Sequence, residues 1–248
     1  MLRGCLGGKY RELYRVHSNK PRNSEKYMNV EDALRQRKSV RAFLEKTVEQ
    51  DKINTILSAA SCAPSGVNTQ PWQVAVVTGT RKKQLQERIE NTFCEGDKGQ
   101  ADYQYYPEEW VEPFKSRRKA CGLQLYKSVG ITREDKQRQL DQWAANYRAF
   151  DAPVLLLFLM NKRMGTGSFM DYGMFLQSLM LAAVEHGLAT CPQAAFAHYS
   201  EIIRKELDYS EDYILVCGMA LGYEDKGAKI NSYRTPRESV DSFTRYFT

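Results

Sequence analysis

Residues 152–160, Ala-Pro-Val-Leu-Leu-Leu-Phe-Leu-Met, constrain this chain more than any other stretch of it, because none of the nine carries a charged or hydrogen-bonding side chain. A membrane span needs about 20 apolar residues, so the run is strand-sized. A strand that is apolar at both odd and even positions has to be covered on both faces. The pattern that follows at 168–186 is helical and apolar around most of its circumference, through Phe169, Tyr172, Phe175, Leu176, Leu179, Met180 and Ala183. Such a helix belongs inside a large core or at an oligomer interface, and Gly187 is placed to stop it. A sheet sandwiched between helical layers is the expectation.

The remaining segments fit around that centre. A first helix reads over 30–37, with Asn29 as its N-cap and Asp32 in its first turn. A second opens at Thr47 and Glu49, with Ile53, Ile56, Leu57, Ala60 and Ser61 at spacings of three and four. Pro64 and Gly66 shape a loop before a strand at 73–78. A helical return covers 81–91. Residues 97–113 hold Tyr103, Tyr105, Tyr106 and Trp110 without a period and read as an excursion, and 131–150 reads as a polar amphipathic helix through Leu140, Trp143, Ala144 and Tyr147. The whole of 97–147 is therefore taken as a lid. A short helix at 201–207, a strand at 213–221 and a polar extended tail over 222–248 complete the chain. Helical pairs interleaved with isolated strands give an α+β layered domain rather than a regular parallel doubly wound one.

Charge and cysteine usage remove several functional classes. Of the 248 residues 36 are basic and 30 acidic, a net charge of +6. Arg3, Lys9, Arg11, Arg15, Lys20, Arg22 and Lys26 stand against Glu12 and Glu25 in residues 1–27, so this basic extension holds all but one of the net charges. The nearly neutral body over 28–248 has no electrostatic footprint for nucleic acid. Six cysteines without a C-x-x-C pair and three histidines leave no zinc or metalloprotease spacing, so no metal is expected and the thiols read as reduced and mostly packing. The run from Cys5 to Gly8 is too short for a secretory core, which makes the cytoplasm the expected compartment, with no membrane partner.

Four segments carry candidate chemistry. Arg37, Lys38, Ser39 and Arg41 gather three cations and a hydroxyl at a helix end, a set that suits a phosphate and equally a solvated end complementing the helix dipole. The loop Pro64-Ser65-Gly66-Val67-Asn68-Thr69-Gln70-Pro71-Trp72 offers fixed backbone and amide and hydroxyl groups for a flat heterocycle, though turns use the same residues and Trp72 also suits a strand anchor. Pro192, Gln193 and Ala194 form a small-residue segment able to lie against a ring. Cys191 beside them has no activator near in sequence and reads as packing. Asn231, Arg234 and Arg237 add polar groups and cations on the tail. No G-x-G-x-x-G, Walker or H-E-x-x-H pattern competes.

Jointly, Arg-Lys-Ser-Val-Arg, Ala-Pro-Ser-Gly-x-Asn-x-Gln-Pro-Trp, Thr-Cys-Pro-Gln-Ala-Ala and the late Pro-Arg resemble the FMN-dependent nitroreductase family over residues 28–247. The segment Asp-Tyr-Gly-Met-Phe-Leu-Gln at 171–177 points to the nitrobenzoate and nitrobenzene reductase branch. The resemblance implies a mostly antiparallel central sheet flanked by helices, in an intertwined homodimer with shared active sites. It implies FMN gripped by Arg37, Lys38, Ser39, Arg41 and Arg237, and met from the other subunit by Pro64, Ser65, Gly66, Asn68 and Gln70. The same resemblance implies that Pro192, Gln193 and Ala194 cover its ring. NADH or NADPH is the implied donor, and nitroaromatic or quinone-like small molecules the acceptors, in ping-pong kinetics. Lys38 or Arg41 would tune the flavin potential, and no side chain is nominated as a dedicated acid or base. Reductive dehalogenation of halophenols and a catalytically weak flavin-binding interaction protein are the competing readings. Residues 1–27 have no counterpart in the family pattern, and Met28 is a candidate natural start.

Overall fold

The computed structural model describes residues 28–248; the expectations for the basic extension lie outside the described residues. Eleven regular elements follow one another: α1 (Val30–Gln36), α2 (Gln50–Ala60), β1 (Gln73–Thr78), α3 (Gly79–Cys94), α4 (Phe114–Ser128), α5 (Lys136–Ala144), β2 (Val154–Asn161), α6 (Gly167–Glu185), β3 (Ala189–Gln193), α7 (Ser200–Leu207) and β4 (Tyr213–Gly222). The Asn29 side chain accepts from the Asp32 amide at 2.9 Å and starts α1.

The strands form one sheet in the order β1-β2-β4-β3, antiparallel at every pairing. Every β2 residue from Val154 to Met160 is buried. On one face Leu156, Phe158 and Met160 meet Ile53 and Ile56 of α2 and Phe175 and Leu179 of α6. On the other, Leu155, Leu157 and Leu159 meet Leu85 and Ile89 of α3, Ile203 of α7, Phe150 and Phe196. Alternation along one apolar strand thus builds two cores. Gly218 of β4 has the Phe196 ring where a Cβ would stand, at 2.4 Å, so no larger residue fits there. Gly187 ends α6 with φ of +69°, a conformation glycine adopts without steric cost.

Three expectations need correction. Residues 131–150 are not one helix. α5 spans only Lys136–Ala144, and Ala149, Phe150 and Asp151 then take φ of +51°, +51° and +59°, a reversal that carries Phe150 into the core beneath β2. Residues 114–128, unassigned in the sequence, form α4, which buries no side chain and so shows no apolar period. Residues 189–193, taken only as a small-residue segment, form β3. Pro192 lies on its outer edge, where no ladder donor is lost, and that edge is capped where the Val40 amide donates to the Thr190 carbonyl at 3.0 Å.

The excursion over 97–113 is irregular and rooted on β4. Asp102 accepts from Arg204 at 2.6 Å and from the Leu215 amide at 3.1 Å, and the Tyr103 hydroxyl donates to the Val216 carbonyl at 2.5 Å. Among the described residues no helix is long and apolar enough to cross a membrane.

Candidate cofactor site

The cation cluster acquires its shape from the tail. After α1, Arg37 turns out of the helix with φ of −56° and ψ of 130°, and residues 38–41 run along β3. Asn231, only 3% exposed, ties the tail to that run. Its Oδ1 accepts from the Arg41 amide at 2.8 Å, its Nδ2 donates to the Ala42 and Asp225 carbonyls at 2.8 and 2.9 Å, and its carbonyl accepts from Lys38 Nζ at 2.6 Å. Residues 233–237 are thereby laid across 37–41. Between them opens a cavity of about 600 Å³ whose walls include Arg37, Ser39, Arg41, Tyr233, Arg234 and Arg237.

No carboxylate among the described residues lines this cavity. Burial, reinforced by the guanidiniums of Arg237 and Arg234, pushes the Arg37 guanidinium down from its ordinary value. The buried Arg37 Nε has no hydrogen-bond partner among the described residues. Arg234 is spent on the carbonyls of Gln36 and Arg37. Among the described residues Arg237 reaches only Thr235 and the Pro236 carbonyl, at 2.9–3.2 Å. Lys38 is instead neutralised by Glu224 at 2.8 Å, so of the two candidates for tuning a potential only Arg41 remains without an acidic partner among the described residues. A cluster of like charges around an empty-handed buried N–H is built for an anion with several acceptor oxygens.

The loop 64–70 stands apart from this cavity within the chain. The Gly66 amide donates to Asp171 Oδ1 of α6 at 3.2 Å, and the Gln70 amide donates to Ser65 Oγ at 3.0 Å. Val67, Asn68 and Gln70 all hold positive φ, at 45°, 60° and 47°, and Val67 is 98% exposed. Pro64, Gly66, Asn68 and Gln70 are exposed and Ser65 half-buried. Behind the loop, Trp72 stacks on Phe175 at 4.7 Å, and the Tyr172 hydroxyl accepts from the Gln73 amide at 3.2 Å while lying 2.8 Å from the Leu159 carbonyl. Both readings of Trp72 thus converge on an anchor for a rigid, outward loop.

At the end of β3, Pro192 is exposed, Ala194 half-buried and Gln193 buried. Gln193 Nε2 donates to the Asn146 carbonyl at 2.7 Å, while its buried Oε1 has no partner among the described residues. Burial pushes the Cys191 thiol up to about 11, against the opposing influence of Arg41 and Ser39; it is a neutral packing thiol. Cys217 is likewise buried, but Cys62, Cys94 and Cys121 are exposed, which corrects the expectation that the thiols mostly pack.

The sequence therefore located Arg37, Lys38, Ser39, Arg41 and Arg237 in one place and missed what assembles them. Asn231 and Arg234 appeared only as tail groups, and Asp171 only as part of a motif. The available signal for Asp171 was an acid on an otherwise apolar helix.

A single antiparallel sheet between two helical layers, with a cation-lined cavity where the tail crosses the first motif, defines an α+β layered domain. The sequence profile of the nitroreductase family matches residues 34–223, and the chain belongs to that family. It is 35% identical over 222 residues to chloronitrobenzene nitroreductase of Comamonas testosteroni, covering 88% of this chain and 96% of that protein. It is 35% identical over 210 residues to 4-nitrobenzoate reductase of Pseudomonas putida, covering 85% and 92%. The crystal structure of the FMN and NADPH-dependent nitroreductase NfnB from Sphigopyxis sp. strain HMH superimposes with a TM-score of 0.87 at 40% identity, covering 89% of this chain and all of that one.

Proposed function

We propose that this protein is an FMN-dependent NAD(P)H oxidoreductase that reduces nitroaromatic and quinone-like acceptors, working as a homodimer with two flavin sites at the subunit interface. The observation that carries the reading is the cavity where Arg37, Arg41, Arg234 and Arg237 converge with no carboxylate among the described residues. The fit to a phosphate monoester is specific in two respects: a dianion relieves the repulsion acting on Arg37, and it supplies the acceptor that buried Nε lacks. The names of the relatives support the acceptor class, and that of the NfnB neighbour supports the cofactor and a reduced nicotinamide donor.

When bound, FMN supplies hydride transfer between a nicotinamide and an electron-poor acceptor. The chain's own residues bind and orient. Arg37 and Arg237 would hold the phosphate, Ser39 would donate a hydrogen bond to the cofactor, and Arg41 would supply positive charge to it. Pro192, Gln193 and Ala194 are assigned to the ring face, with Gln193 Oε1 available as an acceptor. The loop 64–70 of each subunit is assigned to the flavin held by the other, which gives its exposed Asn68 and Gln70 amides a ligand. No side chain is assigned to move a proton, since water can supply it. The five described cysteines are free thiols, which suits the cytoplasm, where reduced nicotinamides are supplied.

The test is direct. Purified protein carries one FMN per subunit, NADPH or NADH bleaches it anaerobically, and a nitrobenzoate restores the oxidised spectrum with ping-pong kinetics. Protein that takes up no FMN at micromolar concentration overturns the reading.

A further inference from the structure

Helix α4 fully buries no side chain over its 15 residues, and two polar contacts tie it to the tail. Arg117, Cys121 and Gln124 lie four and three residues apart on one stripe of the helix, and this stripe faces the tail that carries the phosphate-gripping cations. Arg117 Nε pairs with Glu238 Oε1 at 3.0 Å, and Gln124 Nε2 donates to the Arg234 carbonyl at 3.0 Å. Between them Cys121 lines the anion cavity together with Tyr233. The segment 234–238 is thus fastened from outside at both ends.

That fastening answers a physical need. Burial first, and then the charges of Arg237 and Arg234, lower the Arg37 guanidinium, and the like-charge part of that crowding pushes the tail away from the cavity. Among the described residues Arg237 is hydrogen-bonded only to Thr235 and Pro236, and terminal segments fray unless tied down. Asn231 and the Arg234 hydrogen bonds to the Gln36 and Arg37 carbonyls secure the inner end of the crossing, but both lie before Arg237.

We propose that Arg117 and Gln124 are positioning residues for cofactor retention. Helix α4 is an outer clasp that keeps the 234–238 segment over the anion cavity and thereby sets how fast the flavin phosphate leaves. The proposal rests on the FMN reading above. A helix that only shaped access of acceptors would leave retention unchanged.

The experiment measures FMN release from the holoprotein after dilution, by recovery of free-flavin fluorescence, for wild type, R117E, E238R, the double variant R117E/E238R and Q124A. Each charge reversal releases FMN about fivefold faster, equivalent to ~1 kcal/mol, at the upper end for an exposed ion pair. The double variant returns to within about twofold of wild type, and Q124A releases about threefold faster. In 1 M salt the gap between wild type and R117E narrows, because an exposed pair is screened. Wild-type protein without flavin removes the FMN reading itself and the clasp with it. Wild-type protein that holds FMN, with single variants releasing at its rate or a double variant that is not rescued, overturns the clasp alone.

Discussion

The anion cavity and the loop 64–70 are built by opposite means. The cavity is assembled inside one chain from segments about 190 residues apart, joined by the buried Asn231, and its cost is electrostatic, since guanidiniums are crowded without an acid. The loop is local, and its cost is conformational. Val67, Asn68 and Gln70 sit at positive φ, a region that costs about 1–2 kcal/mol per non-glycine residue, and Asp171, Ser65 and the Trp72–Phe175 stack hold it there. Strain of this kind persists at binding sites because surrounding structure over-determines it. The cavity presents cations and the loop presents the exposed Asn68 and Gln70 amides, so the two halves offer complementary contacts to one ligand.

Breaking the cavity has the largest expected effect. R37A/R237A lowers FMN affinity at least about a hundredfold, taking ~1.5–3 kcal/mol for each charged hydrogen bond, while the apo protein melts at or slightly above the wild-type temperature because repulsion is relieved. A fluorescence titration and a melting curve check both signs, and a destabilised apo double variant would contradict the electrostatic account.

The loop comes second. D171A frees the Gly66 amide and costs about tenfold in FMN affinity, equivalent to ~1.4 kcal/mol, whereas D171N keeps an acceptor oxygen and stays near wild type. Equal losses in the two variants would mean that the acid acts by charge rather than by holding the loop.

The cavity side also has a titrating group behind it, which sharpens the contrast with the loop. Cys191, buried against Arg41 and Ser39, has its thiol raised to about 11, so the folded state keeps a proton that the unfolded chain loses above about pH 8.5. Stability from this source is full below that pH and falls as pH rises toward 11. C191A should flatten the decline between pH 9 and 11 by up to ~1.4 kcal/mol per pH unit, read from denaturant midpoints. An unchanged slope would show that the thiol is solvated.

Val67→Gly carries the smallest expected effect. Relief of left-handed strain, ~1–2 kcal/mol, is offset by glycine's entropy, ~0.5–1 kcal/mol, so thermal stability holds or rises slightly. FMN affinity drops about threefold because the loop is less preorganised. A marked loss of stability would mean that Val67 is not strained.

The parts of the molecule legible in the sequence are those where packing imposes a period. β2 and α6 announced themselves by uninterrupted apolar character and α2 by its spacing of three and four, and these elements together with β1, α7 and β4 were placed within two residues of the observed ends at most positions. α4 left no trace because nothing on it is buried. The segment after α5 misled because Tyr147 and Phe150 keep apolar spacing while the backbone reverses at 149–151. At the site, residue types were readable and their meeting was not: a hydrogen bond from Arg41 to Asn231 leaves no mark in local pattern, and a composite of two half-sites leaves none at all.

The central claim, that cavity and loop of different subunits make one flavin site, is tested most directly by complementation. Two differently tagged chains are co-expressed, one with its cavity disabled by R37A/R237A and the other with its loop disabled by N68A/Q70A, and the heterodimer is isolated. Pairing an intact cavity of one subunit with an intact loop of the other restores one wild-type site, so the heterodimer binds one FMN per dimer with wild-type affinity although neither parent homodimer does. A heterodimer that binds no better than its parents would place cavity and loop of the same chain around each flavin and contradict the account.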